Sequence, residues 1–218
     1  MGHIHKDAYP TPPRLASAGV HLALELYPRF LGETIKFLEP GAGITAPFCK
    51  AIEDQLGHRV VTAGVEVRDI KEHIPELSKH CDLYDYNQDF LEYEPAPEFT
   101  PDLIVTNPPY SLAEQFVRHS MKILSDTGLC IMLIQCGFSG SNKRIPFWSE
   151  YPPIFQVMPR PRPGFVKIGK NSSDSREYYF YVWAGKRLAR FLRQIGRDWT
   201  AAGYTDNGEA WKSKEKVK

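Results

Sequence analysis

Short apolar runs alternate with longer mixed stretches along the chain, and glycine or proline marks most of the junctions. IKFLEP (35–40) reads as a short buried strand that ends at Gly41-Ala42-Gly43. HRVVTAGVEV (58–67) is rich in β-branched residues and predicts a second strand. Residues 83–86 predict a weak third strand, DLIVTN (102–107) a strong buried one, and 128–136 another. IFQVM (154–158) and REYYFYVW (176–183) read as a closing pair. Helices fill the intervals. One runs from about Pro12 to Leu26, with Thr11 as a candidate cap and Pro12 in its first turn. A second spans 44–57, with Thr45 as N-cap, Pro47 in the first turn and Gly57 at its end. Residues 70–80 predict a short helix. In 111–124, Leu112, Phe116 and Ser120 recur at helical spacing, and Ser111 with Glu114 has the pattern of a capping box.

Strand, glycine turn, helix, strand, helix, strand is the order of a doubly wound α/β sheet. Such sheets bind ligands at the carboxyl ends of their strands, near the point where strand order reverses. Two strand ends are chemically unusual: Glu39-Pro40-Gly41-Ala42-Gly43 and Asn107-Pro108-Pro109-Tyr110. A strand order 3-2-1-4-5 makes them neighbours.

Composition changes this picture little. The 218 residues are 42% apolar and 24% charged, enough for one packed domain. No apolar run spans a bilayer and no leader pattern opens the chain, so the expectation is a soluble cytoplasmic protein with no membrane partner. Cys49, Cys81, Cys130 and Cys136 are scattered without a CxxC pair, which argues against zinc, any other metal or a disulfide framework. Charge adds more. The net is +1, yet residues 1–139 carry 11 Lys and Arg against 19 Asp and Glu, while residues 140–218 carry 16 against 7. A basic C-terminal third points to a polyanion such as nucleic acid, and equally fits a solvated basic surface.

Gly41 and Gly43 allow a ligand close to the backbone. The turn has neither a full GxGxxG nor the Lys-Ser/Thr of a phosphate loop. Glu39 at the strand end favours a cationic ligand and repels a pyrophosphate. Glu66 closes the second strand, 23 residues after Gly43, where dinucleotide-type folds place an acid on ribose hydroxyls; Asp69 is its competitor. The two prolines after the fourth strand cannot extend a ladder. They fix a stiff turn that presents the Asn107 side chain and the Pro108 carbonyl as acceptors, with Tyr110 as a flat stacking face. An amino group on a planar ring has its lone pair delocalised. Two acceptors on its hydrogens favour pyramidal geometry and free that pair for attack, so catalysis is mainly positioning.

With these residues in place, positions 8–184 resemble the S-adenosylmethionine-dependent N6-adenine DNA methyltransferases. The resemblance implies a Rossmann-like class I methyltransferase fold with a mixed seven-stranded sheet. Tyr9-Pro10-Thr11-Pro12 is similar to the family's motif X, at the methionine end of the cofactor. Leu38 to Gly43 resembles motif I, which implies cofactor contacts for Glu39, Pro40, Gly41 and Gly43. Glu66 matches the ribose acid, and Asp89-Phe90 the segment that holds the cofactor adenine. Asn107 to Tyr110 resembles catalytic motif IV, as NPPY, with Asn107 near both cofactor and target. The motif order is similar to the gamma arrangement. RPRPGF (160–165) resembles the loop of phage-type members that pins a flipped base, which implies Phe165 as a second stacking face and Arg160 or Arg162 at DNA phosphates. The implied activity is methyl transfer to the N6 amino group of an adenine flipped out of double-stranded DNA, in a bacterial cell or phage-infected host. A restriction nuclease as cognate partner and a homodimer stay open.

The chain departs from the pattern in two ways. LEPGAGI lacks the aromatic that many gamma members carry before the glycines. No large recognition domain exists either, which leaves 137–175 as a small candidate DNA-recognition region inside a catalytic domain of 1–185, followed by a basic helix and tail at 186–218. NPPY also occurs in enzymes that methylate a glutamine amide of release factors; these usually carry a helical domain before motif I and lack YxTP. RNA adenine or guanine is another substrate alternative, N4-cytosine enzymes usually show Ser in place of Asn107, and a catalytically silent nucleic-acid-binding subunit is the alternative outside enzymes.

Overall fold

A computed structural model describes residues 9–27, 34–69, 71–163, 165, 176–194 and 203–205. Its strands are β1 (Ile35–Pro40), β2 (Val60–Glu66), β3 (Leu83–Tyr86), β4 (Leu103–Thr106), β5 (Leu129–Gln135), β6 (Phe155–Pro159), β7 (Tyr178–Ala184) and β8 (Gly203–Thr205). Its helices are α1 (Pro13–Leu26), α2 (Pro47–Leu56), α3 (Ile74–Leu77), α4 (Ala113–Ile123), α5 (Ile145–Glu150) and α6 (Lys186–Gln194). The strands form one sheet in the order β3-β2-β1-β4-β5-β7-β6-β8. The first five are parallel to one another, β7 runs antiparallel to both β5 and β6, and β8 is parallel to β6. The seven expected strands are all present in a mixed sheet. The eighth, from the segment expected to be only a tail, lengthens its edge. The rest of that tail, 195–202 and 206–218, lies outside the described residues.

The period-two pattern of the central strands sorts side chains onto two faces. Leu129, Ile131 and Leu133 of β5 join Phe180 and Val182 of β7 in a core shared with α1, α2 and α6. Cys130, Met132 and Ile134 face the other way, with Tyr181 and Trp183, under α4 and the aromatic residues of α5. Burial on both faces is why β4 and β5 are continuous apolar runs. Cys49, Cys81 and Cys130 are buried within these cores. Among the described residues no helix is long and apolar enough to cross a membrane.

Three expected caps do not form. Thr11 and Thr45 precede the actual N-caps, Pro12 and Ala46, and neither helix has a side-chain cap hydrogen bond. Ser111 falls within a 3₁₀ turn (Tyr110–Leu112), so α4 begins two residues later, with Leu112 at its N-cap and no side-chain cap. At Thr11 and Thr45 a tertiary demand outcompetes the local one. The Thr11 hydroxyl accepts a hydrogen bond from Asn107, and the α2 amides are served by a buried carboxylate from β1.

Candidate active site

The adjacent ends of β1, β2 and β4 border a pocket of about 330 Å³. Gly41 and Gly43 turn the chain at φ +64° and +66°, conformations that a side chain strains. Ala46 adopts φ 38° in the same loop, which bends the chain into α2. The Tyr84 hydroxyl donates to the Gly43 carbonyl at 2.5 Å. That reach depends on Gly64, opposite Tyr84 in the sheet, where an added Cβ would lie 2.8 Å from the ring.

Glu39 and Glu66 are 2% and 4% exposed, and both line the pocket. One Glu39 oxygen accepts from the amides of Phe48 (3.0 Å) and Cys49 (2.8 Å), so this strand residue caps α2. Burial pushes its carboxyl up to about 8, against the opposing pull of those amides and with a contribution from the Glu66 charge. Glu66 accepts from Gly43 N at 2.9 Å and holds the Arg68 guanidinium at 2.8 and 3.1 Å. Asp69, the alternative acid, is well exposed beside Lys71 and does not face the pocket. Asp89 also lines the pocket, and one of its carboxylate oxygens accepts from Leu91 N. Phe90, packed on Phe116 at 4.9 Å, completes an apolar side. Among the expected cofactor residues, Tyr9, Thr11, Glu39, Gly41, Gly43, Glu66, Asp89, Phe90 and Asn107 all line this pocket. Pro12 and Pro40 do not: Pro12 is the N-cap of α1, and the Pro40 carbonyl accepts from Thr106 Oγ1, which ties β1 to β4.

Asn107 leaves the end of β4. Its Nδ2 donates to the Tyr9 carbonyl (3.2 Å) and to Thr11 Oγ1 (3.1 Å). A carbonyl only accepts, so this pair fixes the amide orientation. The Oδ1 atom is buried and has no hydrogen-bond partner. Pro108 is buried and Pro109 lines the pocket, so the turn is anchored in the protein. Tyr110 lies outside the pocket. It belongs to a closed set of four rings: Tyr9–Tyr110 at 6.0 Å and stacked, Tyr110–Tyr178 at 5.7 Å, Tyr178–Phe165 at 4.8 Å and Phe165–Tyr9 at 6.0 Å. Phe165 thus packs on Tyr9 and Tyr178, the two rings that also flank Tyr110. Arg160 and Arg162 are exposed on the approach to Phe165, and Arg162 pairs with Glu177 at 3.2 Å. The rest of the expected recognition region, Gly164 and 166–175, lies outside the described residues.

No protein-family model matches the chain, and no curated protein matches it in sequence. Solved structures match its architecture. A protein from Pyrococcus horikoshii, provisionally described as an RNA methyltransferase, aligns with a TM-score of 0.60 at 16% identity over 85% of this chain and 91% of its own. A Listeria monocytogenes protein, provisionally described as a class I S-adenosylmethionine-dependent methyltransferase, aligns at 0.55 and 13% identity over 92% and 74%. The N-methyltransferase NodS from Bradyrhizobium japonicum aligns at 0.54 and 14% over 79% and 94%. The chain has the Rossmann-like class I methyltransferase fold. Identities this low speak to architecture, and the chemistry rests on the pocket's own residues.

Sequence reasoning missed three participants. Arg68 is held by the acid that the motif did predict. Tyr178 was read only as part of a strand. Phe116 was placed on a helix, without a sign that it would form a pocket wall. None sits in a local motif, since their roles arise from strand neighbours and helix packing.

Proposed function

We propose that the protein transfers a methyl group from S-adenosylmethionine to the exocyclic N6 amino group of adenine in DNA. The carrying observation is Asn107: a buried acceptor oxygen without a partner, its amide orientation locked, lining a pocket that suits the cofactor. Pocket chemistry supports the cofactor. The acidic side chains of Glu39, Glu66 and Asp89 surround it, and its one arginine is already paired. Glu39, its carboxyl pushed up to about 8 by burial, gives up its proton to a cation bound beside it. This set favours a cation and a diol and disfavours a pyrophosphate. Glu66 would take the ribose hydroxyls, Glu39 the ammonium end, and Phe90 and Phe116 the flat ring. S-adenosylmethionine supplies an electrophilic methyl group on its sulfonium.

The chain's own residues do the rest. Asn107 Oδ1 and the Pro108 carbonyl accept the two amino hydrogens and hold the nitrogen lone pair toward the methyl carbon. A new N–C bond forms as the S–C bond breaks, and the methylated nitrogen, strongly acidic, then sheds a proton to solvent. Tyr110 stacks on the base once it has left the duplex. The expected preference for DNA over RNA or a glutamine side chain rests on NPPY, the YPTP segment and the basic C-terminal third. Methyl transfer from labelled cofactor to unmethylated DNA, followed by nucleoside analysis, tests it. Label as N6-methyldeoxyadenosine, absent with Asn107→Ala, is the expected result. Cofactor binding with label appearing only in RNA or in release-factor protein would overturn the substrate.

A further inference from the structure

We propose that Gln135 is a specificity-determining residue that reads the target ring beside its amino group, an inference that rests on the adenine reading above. Gln135 ends β5. Its neighbours across the sheet are Tyr178 of β7, directly opposite, and the chain leaving β4, since Thr106 lies beside Met132. Strand alternation puts its side chain on the face shared by Leu133, Tyr178 and Phe165. Tyr9 and Thr11, which hold Asn107, lie on that face too. Gln135 therefore stands at the lip of the aromatic cluster, one strand away from Asn107.

The amide is oriented. Arg176 Nη1 donates to Gln135 Oε1 at 3.2 Å. The flipped amide would turn its own donors on a guanidinium, which only donates, so Nε2 must point the other way. There Nε2 is buried and has no hydrogen-bond partner. Trp148 and Tyr181, which also hold buried polar atoms without partners, lie in the core of the opposite sheet face. On the cluster's face, beside the buried Tyr110 hydroxyl, the protein keeps a buried acceptor, Asn107 Oδ1, and a buried donor, Gln135 Nε2, at neighbouring strand ends. Orphaned buried groups of this kind are rare in native proteins unless a ligand completes them. A donor beside an acceptor is the complement of an amino group attached next to a ring nitrogen. Asn107 accepts from the amino group, and Gln135 Nε2 donates to the flanking ring nitrogen, N1 or N7 of adenine. A ring that carries N–H or C–H at that position leaves the Gln135 donor unpaired and is rejected.

The test compares DNA duplexes bearing adenine, 1-deazaadenine or 7-deazaadenine at the target, each with wild type and with Gln135→Leu. Wild type is expected to lose at least about tenfold in kcat/KM on one of the two analogues, the order of one hydrogen bond. Gln135→Leu is expected to bind S-adenosylhomocysteine as wild type does and to methylate adenine and that analogue equally well. Gln135→Glu keeps the shape but places an acceptor where the donor stood, so it gives the same loss of discrimination with a lower rate on adenine. Equal use of all three duplexes by wild type, or a wild-type ratio retained in both variants, would overturn the role of Gln135 while leaving the adenine reading intact. No label from wild type into any duplex would overturn both.

Discussion

On the β1–β2 side of the cleft a pocket of about 330 Å³ is held open by backbone; on the β4–β5–β7 side four aromatic rings lie against one another at centroid distances of 4.8 to 6.0 Å. The difference lies in what anchors each wall. Every acid of the pocket is tied to main chain: Glu39 to the start of α2, Glu66 to Gly43, Asp89 to Leu91. Such bonds, with two glycines in left-handed turns, fix a shape that side chains alone do not hold. Tyr9, Tyr110, Phe165 and Tyr178 meet through ring contacts, which are short-ranged and adapt by rotation about χ angles. One half of the site is thus preformed, while under the proposed function the other must part its rings before a base can stack on Tyr110. The lesson is that a motif which supplies a flat ring does not by itself supply an open slot.

The sharpest break of this contrast is Asn107→Ala. The turn lies where the halves meet, so kcat should fall at least about 10²–10³-fold, the scale of one preorganised polar contact. S-adenosylhomocysteine affinity, by calorimetry, should change little. Glu66→Ala attacks the preformed half alone. Losing a buried carboxylate that holds Gly43 and, as proposed, the cofactor's diol should weaken cofactor binding by about 3 kcal/mol, near two orders of magnitude, with KM for DNA nearly unaffected. Tyr110→Ala attacks the other half. Capture of a mismatched target adenine should weaken by about 1–3 kcal/mol, while cofactor affinity holds because Tyr110 does not line the pocket. Equal damage to both affinities in either variant would mean that the two halves are one coupled unit.

A further contrast is in pH. Glu39 titrates near 8 in the folded protein, well above the usual carboxylate range. A raised pKa means that the folded state binds the proton more tightly than the unfolded chain does. The corresponding stability is therefore full below about pH 4.5 and lost as pH climbs toward 8. Glu39→Gln keeps an acceptor for Phe48 and Cys49 and removes that titration. Between pH 5 and 9 the difference in Tm should move steadily in favour of the variant. A constant difference would show that Glu39 stays ionised throughout.

Much of the framework was legible in the residues. The strand at 35–40 and the weak one at 83–86 have the predicted limits, because Gly, Pro and charged residues bracket them. The strand ends of β1 and β4 are neighbours, as the doubly wound order requires. The helix starts were misread where capping residues were diverted. Thr11 and Thr45 look like caps locally, but Asn107 claims the first and Glu39 makes the second unnecessary. Short α5 and edge strand β8 carried no usable periodicity, since six and three residues are too few to show one.

The sequence by itself determined the alternation of strands and helices, the two glycines of the first turn, and the presence of an acceptor, two prolines and an aromatic after the fourth strand. These depend on near neighbours along the chain, through torsional preference and hydrophobic period. Only the tertiary structure decided which way the Asn107 amide faces, that Glu66 rather than Asp69 reaches the pocket, and that Glu39 caps a helix from inside the sheet. It also decided that Tyr110 packs against two rings, Tyr9 and Tyr178, both far away in the chain. Each of these is a contest among distant groups for one hydrogen bond or one buried volume, and packing settles it only when the strands are side by side.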